Sequence, residues 1–386
     1  MIEFFIAKKY ILERKRQSIV SIIGIMIGIL VLTVSIGISN GLDSNMIKSV
    51  LSITSHIRYQ PPKKIENYEE LKAKIESIKG VKGVVANIPT QGIMKFKNRQ
   101  GDYVSGIKIQ GFDMKSAKKY MKLDEKMIIG EIKESNNSVI IGSEMSNNSG
   151  VQVGDKIGII SPDGKEIKFE VTGVFQTGYY DYDANVVMIN LKAAQYITYN
   201  GDLVDEFDIL LNDPYAAEKI AKEISLKLGL YCRTWGELNK NLLSALALEK
   251  TVMIIVFSLI VVIAGFVVWV TLNMLVREKI KDIGILRAMG YSKKNISKIF
   301  MLQGLILGVL GIVLGVIFAL LILWYIKNYS IPGISSIYYI EKIPVIISIK
   351  EILIIVSANF LIILISSIFP AYRASKLETQ EALKYE

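Results

Sequence analysis

One cysteine, Cys232, and one histidine, His56, are all that a chain of 386 residues holds of either type. No internal disulfide can form, and no Cys/His set is present to bind zinc. The chain also lacks a GxSxG, an HExxH and a Walker A phosphate loop. No catalytic residue, metal ligand or cofactor is assigned to it. Charge is missing from four stretches, Ser18–Ile38, Thr251–Val276, Ile299–Ile326 and Ile352–Tyr372, none of which contains Asp, Glu, Lys, Arg or His. A bilayer core is spanned by about 20 apolar residues in helix, so the four runs predict four transmembrane helices, in keeping with a mean hydropathy of +0.38. A cleaved signal peptide is excluded because the first run is too long and no small-x-small site follows. An ion-driven carrier would bury ionisable groups in its spans, and these have none. Of the two energy sources left, an ion gradient or another polypeptide, an external ATPase is the more economical reading.

The charge that is present has a direction. Residues 39–250 are nearly balanced, with 28 basic and 27 acidic side chains, so most of the net +10 sits beside the spans. The N-terminal piece carries five basic residues against two acidic, and 277–298 carries seven against two. Such excesses mark the cytoplasmic side. The basic balance thus reflects topology, and nucleic acid is not an expected partner. The expected organisation is a basic amphipathic cytoplasmic segment (1–17), a first span (18–38), an extracytoplasmic domain with helical stalks (39–250), a second span (251–276), a cytoplasmic loop (277–298), a third span (299–326), a short outer loop (327–351), a fourth span (352–372) and a cytoplasmic tail (373–386). The fold class is an α-helical membrane protein with four transmembrane helices, plus a large α+β extracytoplasmic domain inserted between helices 1 and 2.

Within that domain, spacing predicts helices over Tyr68–Ile78 and Pro214–Leu228. Strands are predicted over Val81–Ile88, Gly101–Gly111, Ser138–Ile141, Val153–Ile160, Ile167–Phe175, Val186–Ile189, Phe207–Leu211 and Tyr231–Thr234, with a turn at Ser161-Pro162-Asp163-Gly164. Pro61-Pro62 and Glu237–Lys250 read as entry and exit stalks, the second continuing the second span. Asp181–Asp183 reads as a solvated loop and Cys232 as a small core residue.

The segment Arg277–Lys298, REKIKDIGILRAMGYSKKNISK, is held between two spans. Ile280, Ile283 and Leu286, three apart, give a short helix an apolar side. On residues alone it suits a partner's groove or an anionic lipid surface equally. Its pattern resembles the coupling segment of the MacB-like permease superfamily of ABC transporters, E-x-x-x-[ED]-I-G-I-L-R-A-x-G, through Glu278, Asp282, Ile283, Gly284, Ile285, Leu286, Arg287, Ala288 and Gly290. FIAKKYILERKRQSIVSIIGIMIGI with Asn40-Gly41, VIIGSEM with VQVGDKIGIISP, FEVTGVFQTGYYDYDANVVMINLKAAQYI and PAYRASKLETQEALKYE resemble the lipoprotein-releasing (LolC/LolE type) permeases of that superfamily.

The resemblance implies a permease, itself no enzyme, in the inner membrane as a multi-pass protein with both termini cytoplasmic. Its implied partners are an ABC ATPase dimer that binds the ATP, a second permease subunit forming a homo- or heterodimer, membrane lipids and a lipoprotein substrate extracted from the outer leaflet. A periplasmic lipoprotein carrier is a further partner of the family. Arg277, Lys281 and Arg287 supply cations for the ATPase, and Glu278 and Asp282 are expected to pair with its basic residues. By family analogy, an acyl-chain cavity is lined by Ile36, Leu42 and Met46 on one side and Met253, Ile254 and Phe257 on the other. One departure stands out: where the carrier-recruiting subunits carry a Pro-bearing hook, this chain has the tight turn SPDGKE, which leaves no room for one. The same architecture also suits an efflux permease for peptides or amphiphilic drugs, or a mechanotransmitting regulator of a cell-wall hydrolase. Gly24/Gly28, Gly304/Gly308 and Gly311/Gly315 have the spacing of close helix contacts.

Overall fold

The computed structural model describes residues 2–98, 101–329 and 342–377. Parts of the expected loop 327–351 and of the tail from 373 onward lie outside the described residues. The chain divides into two compact units, one built from the helices that carry the apolar runs and the other from Asn45–Ser244.

The chain opens with α1 (Ile2–Glu13) and α2 (Lys15–Ile53). The first apolar run lies inside α2, which has 39 residues. At 1.5 Å per residue it is about 58 Å long, well beyond the ~30 Å of a hydrocarbon core. The entry stalk is thus the end of α2, and Pro61-Pro62 comes only after β1 (Ile57–Tyr59).

The second unit continues with α3 (Tyr68–Glu76), β2 (Val81–Asn98), β3 (Gly101–Phe112), α4 (Met114–Met121), β4 (Met127–Gly130), β5 (Ser138–Gly142) and α5 (Ser143–Ser149). Then come β6 (Lys156–Ile160), β7 (Glu166–Phe175), α6 (Tyr180–Asn185), β8 (Val186–Asn190), α7 (Leu191–Thr198), β9 (Glu206–Leu211), α8 (Ala217–Leu228), β10 (Cys232–Thr234) and α9 (Trp235–Leu238). The strands form one mixed sheet in the order β10-β1-β9-β2-β3-β8-β5-β7-β4, and β6 joins β2 to β7. Following the pairs β2-β3-β8-β5-β7-β6 returns to β2, so six strands close on themselves.

β2 runs ten residues past its expected end at Ile88, because β3 pairs with it from Asn87 to Asn98. Pro89 is tolerated because it falls between the β9 partners, which end at Asn87, and the β6 partners, which begin at Ile93. There β2 is paired on one side only. At Gly92 a Cβ would lie 2.8 Å from the Ile160 carbonyl oxygen, so the closure of the strands requires glycine. Side chains alternate across the strand: Val84, Ala86 and Ile88 enter the main core, and Val85 enters a second core with Met114, Ala117, Met121 and Leu210. Cys232 lies in the main core, where burial pushes its thiol up to about 12. β6 and β7 are joined by Ser161–Lys165 alone, with Gly164 at φ +85°.

The helical unit resumes with α10 (Lys240–Glu278), α11 (Ile280–Ala288), α12 (Lys293–Asn328) and α13 (Ile349–Ser375). Among the described residues, four helices are long and apolar enough to span a membrane. The paired glycines pack within the chain. A Cβ at Gly311 or Gly315 would meet the Ile25 or Ile29 side chain at 2.7 or 2.9 Å, and one at Gly308 would meet Ile363 at 2.6 Å. Glycine therefore brings α12 close to α2 on one side and to α13 on the other.

Candidate functional site

The segment between α10 and α12 folds as an elbow whose form follows from its residues. α11 ends in a paired-bond stop: Gly290 N–H donates to the Arg287 carbonyl at 3.1 Å, and Tyr291 N–H donates to the Leu286 carbonyl at 3.0 Å. Gly290 has φ +96°, a conformation that glycine adopts without a Cβ penalty. Leu286 and Tyr291, the two side chains such a stop brings together, both pack on one apolar cluster. Ser292 then starts α12 by accepting the Asn295 N–H at 3.2 Å.

The elbow's apolar side is occupied by its own chain. Ile283 is 1% exposed and packs with Ala7 and Tyr10 of α1, Ile296 and Phe300 of α12, and Ala371 and Ala374 of α13. Leu286 packs against the same cluster, and Gly284 is buried. The apolar side expected to seat in a partner's groove is therefore turned inward, with Ile280 half-buried beside it. Lys281, Ile285, Ala288 and Met289 face out instead, with Ile285 51% and Met289 73% exposed. The spacing 281, 285, 288, 289 places these four on one helical side.

The acidic residues of the motif are also engaged. Glu278 accepts from Arg14 at 3.1 Å and from Gln17 at 2.9 Å. Asp282 lies 3.0 Å from Lys279, whose ammonium also reaches Glu13 at 2.5 Å and stands 4.6 Å over the Tyr10 ring. Arg287 donates to the Tyr291 carbonyl at 3.3 Å, and Arg277 is exposed. Sequence spacing reveals the apolar side of α11 but not that α1 and α13 cover it.

The six candidate cavity residues do not form one group. Ile36 and Phe257 pack on a single apolar cluster with Ile25, Leu32, Val268 and Ile355. Leu42 and Met253 are half-buried, and Ile254 is 65% exposed. Met46 belongs to the other unit and is half-buried there.

In that unit, His56 and Lys126, neither given a role from the sequence, hold the end of α2. His56 accepts the Leu211 N–H on Nδ1 at 2.9 Å, and its Nε2 lies 3.3 Å from the Leu51 carbonyl oxygen. This geometry suits the neutral ring with its proton on Nε2, and burial lowers its pKa. Lys126 donates to the Ser52 carbonyl and, at 2.8 Å, to the Ser52 hydroxyl. Both side chains satisfy carbonyls that a helix C-terminus leaves open.

A buried polar cluster lies across β1, β2 and β9. Arg58 Nε is 3.1 Å from Asp208 and 3.4 Å from Glu206, and Asn87 donates to the same two carboxyl groups at 3.1 and 2.8 Å. Burial, and then the Asp208 carboxylate beside it, pushes the Glu206 carboxyl up to about 8. Asp183, expected in a solvated loop, is instead buried and accepts the Thr177 and Gly178 N–H groups at 2.9 and 3.2 Å.

Two known families match the chain. Residues 254–379 match the FtsX-like permease C-terminal family, and residues 18–226 match the MacB-like periplasmic core domain. The lipoprotein-releasing system transmembrane protein LolC of Neisseria meningitidis serogroup B is 26% identical over 100% of this chain and 99% of its own length. The lipoprotein-releasing system transmembrane protein LolE of Haemophilus influenzae is 25% identical over 98% of each. The solved periplasmic region of MacB from Actinobacillus actinomycetemcomitans aligns with a TM-score of 0.35 at 10% identity, covering 51% of this chain and 97% of that one.

Proposed function

Because the chain belongs to the permease family that joins a MacB-like periplasmic core domain to an FtsX-like C-terminal domain, we propose that it is the permease subunit of an ABC transporter that releases lipoproteins. In this reading it pairs with a second permease subunit in the inner membrane. A separate ATPase dimer hydrolyses ATP beneath the elbow, and lipoproteins are extracted from the outer leaflet for release toward the outer membrane. Both termini and the elbow face the cytoplasm, and the Asn45–Ser244 unit faces the periplasm.

The observation that carries this reading is the end-to-end correspondence with the lipoprotein-releasing relatives. Geometry supplies a route for force. The ATPase docks on Lys281, Ile285, Ala288 and Met289, a side left free by an elbow whose opposite side is anchored in the chain's own core. Displacement of that rigid elbow passes into α10, a helix of 39 residues. α2 is equally long, and its last turn is held by His56 and Lys126. The five-residue turn after β6 offers no hook, so a carrier is received by the partner permease or on another surface.

The test is photo-crosslinking in cells from probes at Leu42 and Ile254, with detection of acylated proteins. Lipoprotein adducts that accumulate when ATP hydrolysis is blocked and clear when it resumes are the expected result. Adducts only to non-acylated wall enzymes or to small amphiphiles would refute lipoprotein release.

A further inference from the structure

At the basic end of the helical unit, a cleft of about 600 Å³ opens between the first turns of α12 and the last turns of α13. Its character changes along α12. Lys293, Lys294 and Lys298 line it from the first turns of α12 and Lys376 from just past α13, whereas Met301 and Leu305 line it from the turns that follow. Lys294, Lys298, Met301 and Leu305 are spaced four, three and four apart, so they share one side of α12. That side passes from charge to hydrocarbon over about 17 Å at 1.5 Å per residue.

Four lysines are among the described residues of its lining. Among the described residues, no carboxylate lines the cleft; Glu3 of α1 lies within electrostatic reach of Lys298 but outside the lining. Lys376 Nζ stands 4.6 Å over the ring of Tyr372, another residue of the lining. Four ammonium groups gathered at one opening repel one another unless an anion sits among them. A soluble anion would satisfy the lysines but leave Met301 and Leu305 bare.

We propose that this cleft is a binding site for one anionic phospholipid. The phosphate lies among Lys294, Lys298 and Lys376, and an acyl chain runs down over Met301 and Leu305. Lysines followed along α12 by apolar residues, in a cleft between spanning helices, match the two parts of such a lipid. Lysine suits a headgroup that is held loosely, since its ammonium is a point charge on a flexible stem.

The experiment uses the full-length protein in a neutral maltoside detergent, followed by native mass spectrometry and thermal unfolding. Three probes are compared: phosphatidylglycerol, phosphatidylcholine with the same acyl chains, and inorganic phosphate. The expected result is a one-to-one phosphatidylglycerol adduct with a raised melting temperature, and no comparable effect of the other two. The triple variant K294Q/K298Q/K376Q is expected to weaken that binding about tenfold or more. Leu305→Trp, which enlarges an apolar lining residue but leaves every lysine in place, is expected to weaken it independently. Equal stabilisation by phosphatidylcholine, or unchanged phosphatidylglycerol binding in both variants, would overturn the proposal. Equal stabilisation by inorganic phosphate would also overturn it, leaving only an anion site. Neither measurement involves cargo or the ATPase, so the lipid site stands or falls separately from the transport reading.

Discussion

Lys250 Nζ lies 3.4 Å from Asp43 Oδ2, joining α10 to α2 beyond their apolar runs. Ser39 donates to Glu249 at 3.2 Å, Asn40 donates to Glu351 at 2.7 Å, and Ile346 N–H donates to the Gly37 carbonyl at 2.9 Å. A polar seam thus ties α2 to α10 and to the chain entering α13. The Lys250 side chain is 55% exposed and that of Asp43 9%, so solvent screens one end of the pair and it contributes about 1 kcal/mol.

If cargo enters between α2 and α10, bridging them should stop transport. Cysteines at positions 43 and 250, joined by a short bis-maleimide, are expected to abolish lipoprotein release and leave ATPase docking intact. The native Cys232 is buried and does not compete. Asp43→Ala alone is expected to lower stability by about 1 kcal/mol. Undiminished release from the bridged protein would remove this entry route.

The two sides of α11 should separate docking from folding. Ile285→Asp with Met289→Asp is expected to lose the co-purifying ATPase at an unchanged melting temperature, because both side chains are exposed. Ile283→Ala is expected to lower the melting temperature, with a core loss of about 2–4 kcal/mol. Retention of the ATPase by the Asp variant would place its docking surface elsewhere.

Gly290 is required for its backbone rather than for space, since nothing lies within 4 Å of a Cβ built there. Gly290→Ala is expected to cost about 1 kcal/mol. Gly290→Asn, which tolerates the left-handed region better, should cost less. Comparing the melting temperatures of the two variants tests this order.

Glu206 makes the second unit sensitive to alkali. Its carboxyl is raised in the folded state from 4.5 to about 8, so between these values the folded chain binds a proton that the unfolded chain releases. Its contribution is full below about pH 4.5 and is lost as pH rises through about 8. Glu206→Gln should flatten that decline, read as melting temperature from pH 5 to 9. An equally steep decline in the variant would assign the effect to another group.

Much of this organisation is legible locally. Four uncharged runs identify the spanning helices because a charge in hydrocarbon is costly wherever it sits. Alternation and turn residues locate β3, β7 and the Ser161–Gly164 turn, because period and backbone preference are properties of neighbouring residues. α4 and α7 are not visible in this way. They are helical because Met114, Ala117 and Met121, and Leu191, Ala194 and Ile197, settle into cores assembled from distant strands.

The chain by itself thus determines which segments are apolar, which end of the bundle is basic, and that the segment after the second span forms a short helix with an apolar side. Tertiary structure decides what that side touches. Ile283 and Leu286 meet α1, α12 and α13, so the free side of α11 is the one carrying Ile285 and Met289. Likewise Arg58, Glu206 and Asp208 become one buried cluster only because β1 pairs with β9, which shifts a carboxyl that would be ordinary in an open chain. The physical reason is common to both cases. Periodicity is fixed by covalent neighbours, whereas burial and electrostatic environment are fixed by segments brought together in folding.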